Sequence, residues 1–159
     1  MAKSGKHHKK SDTPTIENRR ARHDYFISDT LEVGIRLVGT EVKAVRDGKA
    51  SLKEGYVSVE NGQLTLHNVN IGEYPPAGQL QHAMVRRRRL LAHRREIKRL
   101  ARQVEQKGVT LVPLKLYFKD SWAKLLIGLG TGKAQHDKRQ SIKERDMERD
   151  IRRAMSRRA

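Results

Sequence analysis

"YVSVENGQLTLHNV", Tyr56 to Val69, decides the architecture. Two runs that alternate apolar and polar residues flank Asn61-Gly62, a dipeptide that tolerates the positive φ angles of a type I′ turn. The stretch predicts a β-hairpin. Upstream, "LEVGIRL" alternates in the same way: Leu31, Val33, Ile35 and Leu37 face one side, Glu32, Gly34 and Arg36 the other. This is the pattern of a half-buried strand with a polar outer face. Between the two lies "GTEVKAVRDGK", where Thr40 is expected to cap a short helix and Gly48 to close it. "ENRRARHDYF" further upstream predicts one or two helical turns. Downstream, Pro75-Pro76 and Gly78 mark a loop. A long helix is then predicted from about Arg88 to Lys107, with Gly108 as its C′ residue and Leu90, Ile97, Leu100 and Val104 as its buried stripe. "VTLVPLKLYF" and "WAKLLIGLG" predict two more strands joined by a tight turn at Lys119–Ser121. Pro113 pushes the first of them toward a sheet edge or a bulge.

Five strands with the long helix between the third and fourth form the order of an OB-type β-barrel. The fold class is therefore mainly β with helices: an OB-type barrel core, flanking helices and a basic C-terminal tail. A small α+β sandwich is the other architecture this order allows. The expected division is a disordered basic segment at 1–18, an OB-type barrel at 19–132 and a basic tail at 133–159.

Charge says more about partners than about fold. The chain of 159 residues carries 35 Lys+Arg against 18 Asp+Glu, a formal charge of +17. Such a balance favours a polyanion, with nucleic acid first. The excess is not confined to the ends: residues 19–132 hold 21 basic and 11 acidic side chains. There is no cysteine, hence no disulfide framework, which fits a cytoplasmic location. No apolar run approaches the ~20 residues that cross a bilayer, and the first residues have no apolar signal region. No membrane partner is expected.

No catalytic constellation stands out. Histidines are scattered at 7, 8, 23, 67, 82, 93 and 136, without the spacing of a transition-metal site. "GLGTGKA" resembles a phosphate loop, but Ile127 stands where its first glycine belongs and Ala134 where Ser or Thr should follow the lysine. An enzyme, a cofactor and a small-molecule substrate are therefore not expected. "RRRRLLAHRREIKRLARQ", Arg86 to Gln103, has eight arginines and one lysine against one glutamate. The planar arginine fork binds two phosphate oxygens at once. The basic side chains expected at a nucleic-acid surface are Arg19, Arg20, Arg22, Arg36, Lys43, Arg88, Arg89, Arg94 and Arg95. His93 falls beside the helical stripe; it reads either as a boundary histidine bonded to a carbonyl or as a base or ribose contact. Seven aromatics are few, and Phe26, Tyr117, Phe118 and Trp122 lie in or beside strands, where core packing is the default. A basic protein without spare rings should read folded RNA by backbone and shape.

Six segments in order, "NRRARHDYFI", "GTEVKAVRDGKA", "GY" followed by "NVNIGEY", "RRLLAHRREI", "GVTLVPLKLYF" and "GKAQHDKR", resemble the small protein B family, the SsrA-binding proteins of bacterial trans-translation. The resemblance implies an OB-type barrel that binds the tRNA-like end of transfer-messenger RNA and delivers it to stalled ribosomes. It implies RNA-contacting roles for Glu32, Leu91 and His93. It implies a ribosome-sensing role for Gly132, Lys133, Gln135, His136, Asp137, Lys138 and Arg139. Ala134 and the "DSWAK" turn depart from the pattern common in the family. From Asp137 onward the tail holds nine basic and five acidic residues, and Met147, Ile151 and Met155 form a narrow apolar stripe. Such a helix is marginal alone. The expectation is a tail disordered when free and helical on a ribosome, with Ile151 and Met155 in contact with it and the mRNA channel as the implied place. A nonspecific RNA-adhesive tail is the plainer reading. From residues alone, a structural ribosomal protein or another OB-fold translation factor is the competing function, and Glu32 reads equally as a strand carboxylate paired with Arg36.

Overall fold

The computed structural model describes residues 13–157; the first twelve residues, with His7 and His8, and the last two lie outside the described range, as do the side chains of Gln135 and His136. The hairpin is built as its sequence predicts. β4 (Tyr56–Glu60) and β5 (Gln63–His67) pair from Tyr56↔His67 to Glu60↔Gln63, and Asn61 and Gly62 turn with φ of 49° and 70°. Around it lie β1 (Ile16–Glu17), α1 (Arg19–Asp24), β2 (Tyr25–Ile35), α2 (Gly39–Arg46), β3 (Ala50–Ser51) and β6 (Asn70–Ile71). β7 (Arg88–Leu91), α3 (Arg94–Val104), β8 (Val109–Lys119), β9 (Trp122–Gly132) and α4 (Gln135–Ser156) complete the described chain.

The pairings close on themselves. β4 pairs with β5, β5 with β7, β7 with β2, β2 with β9, β9 with β8, and β8 returns to β4 through Val57↔Leu111. A closed circuit is a barrel, which decides against the open sandwich and removes most exposed edges. Its interior is aliphatic: Val33, Ile35, Leu64, Leu66, Leu90, Leu111, Leu116, Leu125 and Ile127 are all buried. Each such side chain contributes about 1.5–3 kcal/mol on leaving water. Leu100 of α3 joins this core, with Ile97 and Val104 packed against it. Pro113 lies at a bulge, where the β8–β9 register shifts between Pro113 and Lys115. A Cβ on Gly128 would come within 2.9 Å of Ile27 and Leu114, so this glycine serves close packing.

Several expectations need correction. The long helix does not begin at Arg88. Residues 88–91 form a strand with period-two burial: Arg88 and Leu90 point in, Arg89 and Leu91 out. This adds a sixth strand to the circuit. Leu90 pairs with Ile35 and Leu64 rather than belonging to a helical stripe. Val38, not Thr40, is the N-cap of α2, and its N–H donates to Glu41 Oε2 at 3.0 Å; Thr40 Oγ1 instead bonds His82 Nδ1 at 2.8 Å. The end of the segment expected to be disordered is anchored. Ile16 and Glu17 pair with Leu116 and Lys115. Asn18 is buried: its Nδ2 donates to the carbonyls of Leu52 and Pro113, and its Oδ1 accepts from Ala21 N–H. Asn18 thereby caps α1 and ties it to the barrel.

Candidate nucleic-acid interface

The residues expected at an RNA surface fall into two groups at opposite ends of β2. Phe26 and Glu32 are six residues apart on this strand, roughly 20 Å at the usual rise.

At the far end, Glu32 lies on the outer face, as its alternation predicts. It is not paired with Arg36. Tyr117 Oη donates a short hydrogen bond to Glu32 Oε2, and Lys119 Nζ lies 3.5 Å from Oε1. The Tyr117 bond, helped by Lys119, holds the Glu32 carboxyl below the usual range against its partial desolvation. Burial and the same bond push the Tyr117 phenol up to about 12. The carboxylate is therefore oriented and ionised, with acceptor capacity left for a base or ribose donor.

Beside it, Leu91 is exposed and packs over Gly34, where a Cβ would lie 3.2 Å from Leu91 Cβ. A cavity of about 450 Å³ opens between Arg36, Leu37, Leu91, Trp122 and Lys124. Trp122 is 73% exposed, contrary to the expected core packing, because it follows the turn at Asp120-Ser121 and points off the hairpin end. Phe118 is buried, with Arg46 over its ring at 5.3 Å, and Tyr117 is half-buried. His93 caps α3 through its backbone N–H, which donates to Glu96 Oε2 at 3.0 Å; its ring is exposed, off the apolar stripe. Arg36, Arg89, Arg94 and Arg95 are exposed and carry no ion pair among the described residues. Lys43 is also exposed, with its Nζ over the Tyr74 ring at 5.2 Å.

Arg88 does not belong to this surface. Its side chain is fully buried, with Nε donating to Glu41 Oε1 at 2.8 Å and its other nitrogens to the carbonyls of Val69 and Met84. Arg86 Nη2 holds Glu41 Oε2 at 2.7 Å. Burial raises the pKa of Glu41, but the hydrogen bond from Arg86, the Val38 N–H and Arg88 outweigh it, so the carboxyl stays below its usual range. The cluster ties α2 to β7 and to the loop after Gly78. Sequence reasoning missed it because Glu41 and Arg88 are separated by 47 positions. The local alternation Arg88-Arg89-Leu90-Leu91 was the available signal.

At the near end, α1 and the base of α4 meet. Arg20 is neutralised, by Asp24 at 3.2 Å and Glu54 at 2.7 Å. Asp24 also binds His23 and Lys138, at 2.9 and 3.4 Å, and its carboxyl is held below the usual range, chiefly by the His23 bond. Arg19 and Arg22 are exposed without ion pairs among the described residues. Lys133 Nζ donates to Arg22 O, and its backbone N–H to Asp24 O. Gly132 ends β9 opposite Tyr25, Asp137 is half-buried, and Arg139 is exposed. Beyond Arg145 the ion pairs of α4 are internal, Arg149–Asp146 and Arg152–Glu148, while Met147, Ile151 and Met155 are 60%, 59% and 69% exposed.

No described helix is long and apolar enough to cross a membrane. Among the described residues no group of three or more His, Cys, Asp or Glu is placed to hold a metal ion.

The model of the family described as "SmpB protein" matches residues 15–157. An SsrA-binding protein of Lactobacillus acidophilus is 50% identical over 144 residues, 91% of this chain and 95% of that protein. One of Gloeothece citriformis is 55% identical over 142 residues, 89% of this chain and 92% of that protein. Among solved structures, a chain of "tmRNA-SmpB: a journey to the center of the bacterial ribosome" superposes with a TM-score of 0.67 at 45% identity, covering 81% of this chain and 94% of the other. With the family model matching residues 15–157, from β1 through α4, and a relative 50% identical over 91% of this chain, the chain belongs to the SmpB family.

Proposed function

We propose that this chain is a non-enzymatic RNA-binding adaptor: it binds the tRNA-like domain of transfer-messenger RNA and carries that RNA to stalled ribosomes for peptide tagging. The observation that carries this reading is the agreement with proteins named SsrA-binding protein across 91% of the chain. The geometry suits it. An ionised, oriented Glu32 supplies specificity through accepted hydrogen bonds, while Arg36, Arg89, Arg94 and Arg95 supply charge attraction to phosphates. Leu91, Trp122 and the ring of His93 offer contact to bases or sugars at the same end. Lys133, Gln135, His136, Asp137, Lys138 and Arg139, with Gly132, form the segment that meets the ribosome. Ile151 and Met155 give the exposed helix a stripe to bury there. The adaptor works in the cytoplasm, where ribosomes are.

The test is to recover the protein from cells and sequence the RNA bound to it. Transfer-messenger RNA should dominate. A mixed population of messenger RNAs would overturn the reading, and a constant one copy per ribosome would favour a structural ribosomal protein instead.

A further inference from the structure

Past Arg145, which donates to the Arg22 carbonyl at 3.3 Å, α4 runs on with Met147, Ile151 and Met155 60%, 59% and 69% exposed. Their i, i+4, i+8 spacing puts them on one face, about 12 Å long at the helical rise. Two of the three are thioethers. Such a flexible, polarizable side chain, left mostly in water, suits a surface that is buried only in a complex. The chain has four methionines and no cysteine, so thioethers are its only oxidisable sulfurs. Met1 lies outside the described residues. Met84 is 45% exposed and sits beside the buried clasp, where its backbone carbonyl accepts from Ile71 N–H and from Arg88. The sulfurs that are both open to a dissolved oxidant and placed on an interaction face are those of Met147 and Met155.

We propose that Met147 and Met155 form an oxidation site, at which hydrogen peroxide turns the apolar face of the tail polar and reversibly silences it. The proposal rests on the ribosome-binding reading of that face given above and adds a redox control to it. At each residue the sulfur lone pair takes one peroxide oxygen, the O–O bond breaks, and the second oxygen leaves as water. The sulfur is oxidised by two electrons and the peroxide is reduced by two. A thioether has no proton to lose, so the step needs no activating base. The sulfoxide oxygen is a strong acceptor, and burying it against a partner without a donor forfeits the contact the thioether made. A thiol-dependent reductase removes that oxygen as water and restores the face. The ion pairs Arg149–Asp146 and Arg152–Glu148 do not involve these sulfurs, so charge attraction to RNA persists while the apolar contact is lost.

In the test, full-length protein, Met147→Leu/Met155→Leu and Met84→Leu are each treated with hydrogen peroxide, and sulfoxides are located by peptide mass mapping. Each oxidised protein is compared with its own reduced form, so differences in starting rate between variants drop out. In the parent, both tail methionines should gain oxygen under conditions that leave the Tm unchanged. Affinity for isolated small ribosomal subunits should then fall about threefold or more, and tagging on stalled ribosomes about tenfold or more. Affinity for transfer-messenger RNA, bound far from the stripe, should stay within about twofold. Methionine sulfoxide reductases for both epimers should restore the parent. Met84→Leu should lose as much as the parent, and Met147→Leu/Met155→Leu less than about twofold. Oxidation confined to Met1 and Met84, an oxidised parent that binds and tags as well as the reduced one, or an equal loss in Met147→Leu/Met155→Leu would overturn the proposal. A reduced parent that failed to prefer transfer-messenger RNA over an unrelated RNA duplex would instead overturn the adaptor reading, and the small-subunit arm would still decide the oxidation site.

Discussion

The two ends of β2 handle charge in opposite ways. At the far end Glu32 and Glu41 have assigned donors. Glu32 is held by Tyr117 and Lys119, and beneath that surface Glu41 is clasped by Arg86 and Arg88. At the near end cations outnumber acceptors: one carboxylate, Asp24, serves three partners, and Lys133 and Arg145 fall back on a backbone carbonyl. The difference teaches what each end can recognise. An ionised, positioned carboxylate on a basic protein repels phosphate and selects for hydrogen-bond donors. A set of cations without counter-ions selects for phosphate and reads no sequence.

The most severe way to break the contrast is to remove the buried carboxylate. Glu41→Gln leaves Arg88 buried without its counter-charge, and breaking such a pair costs about 3–5 kcal/mol. Chemical denaturation of this variant should show a loss of that order, whereas Arg95→Ala on the exposed face of α3 should change stability by no more than about 0.5 kcal/mol. Equal losses would mean that Arg88 is no more structural than its neighbours.

Acid should sharpen the comparison next. Glu41, Glu32 and Asp24 all have folded-state pKa values below their ordinary 4.5, 4.5 and 3.8. A depressed carboxyl contributes stability that is complete above its unfolded pKa and is lost as pH falls through its folded value. The Tm should therefore hold near neutrality and fall below about pH 4. Tyr117 has the opposite sign: its pKa is raised from 10.0 to about 12, so its contribution is complete below 10.0 and is lost as pH rises toward 12. Glu32→Gln should bring phenolate absorbance of Tyr117 to lower pH, though not fully to 10.0, since burial is the larger cause.

Smaller still is the stability effect of the Glu32 clasp. Glu32→Gln or Tyr117→Phe should cost about 1 kcal/mol, because the pair is partly exposed to water. Both should weaken transfer-messenger RNA binding more than binding to a generic duplex. If Glu32→Gln tightens both equally, the carboxylate only repels.

The smallest expected effect on the fold is removal of the tail. A chain stopped after Arg139 keeps Asp24–Lys138 and Lys133–Arg22 and loses the Arg145 bond and an exposed helix. Its stability should change by no more than about 0.5 kcal/mol, and its affinity for transfer-messenger RNA should stay near normal. Tagging on stalled ribosomes should nevertheless fail. Ile151→Asp with Met155→Asp keeps the length and replaces the exposed stripe; tagging that survived it would reduce the tail to an adhesive end. As a helix, its 22 residues reach roughly 33 Å.

Local patterns carried much of this molecule. Asn61-Gly62 with alternating flanks determined the hairpin, and the alternation of Glu32 and Arg36 with Leu31, Val33 and Ile35 determined which face of that segment is polar and exposed. The net charge of +17 determined the class of partner, since any surface this basic attracts polyanions. Two things were decided only by the tertiary structure. Arg88 and Arg95 come from one arginine-rich stretch, yet one is buried and the other is free. What separates them is Glu41, 47 positions upstream of Arg88, whose carboxylate supplies the counter-charge without which a strand could not bury a guanidinium. Phe26 and Trp122 take outward positions of their strands, Phe26 between the half-buried Tyr25 and Ile27 and Trp122 ahead of the inward Ala123 and Leu125, and the fold brings no other element over them, so both rings stay exposed beside cations. Burial of a charge and exposure of a ring both depend on which distant groups arrive at the same place, and no local period in the sequence records that.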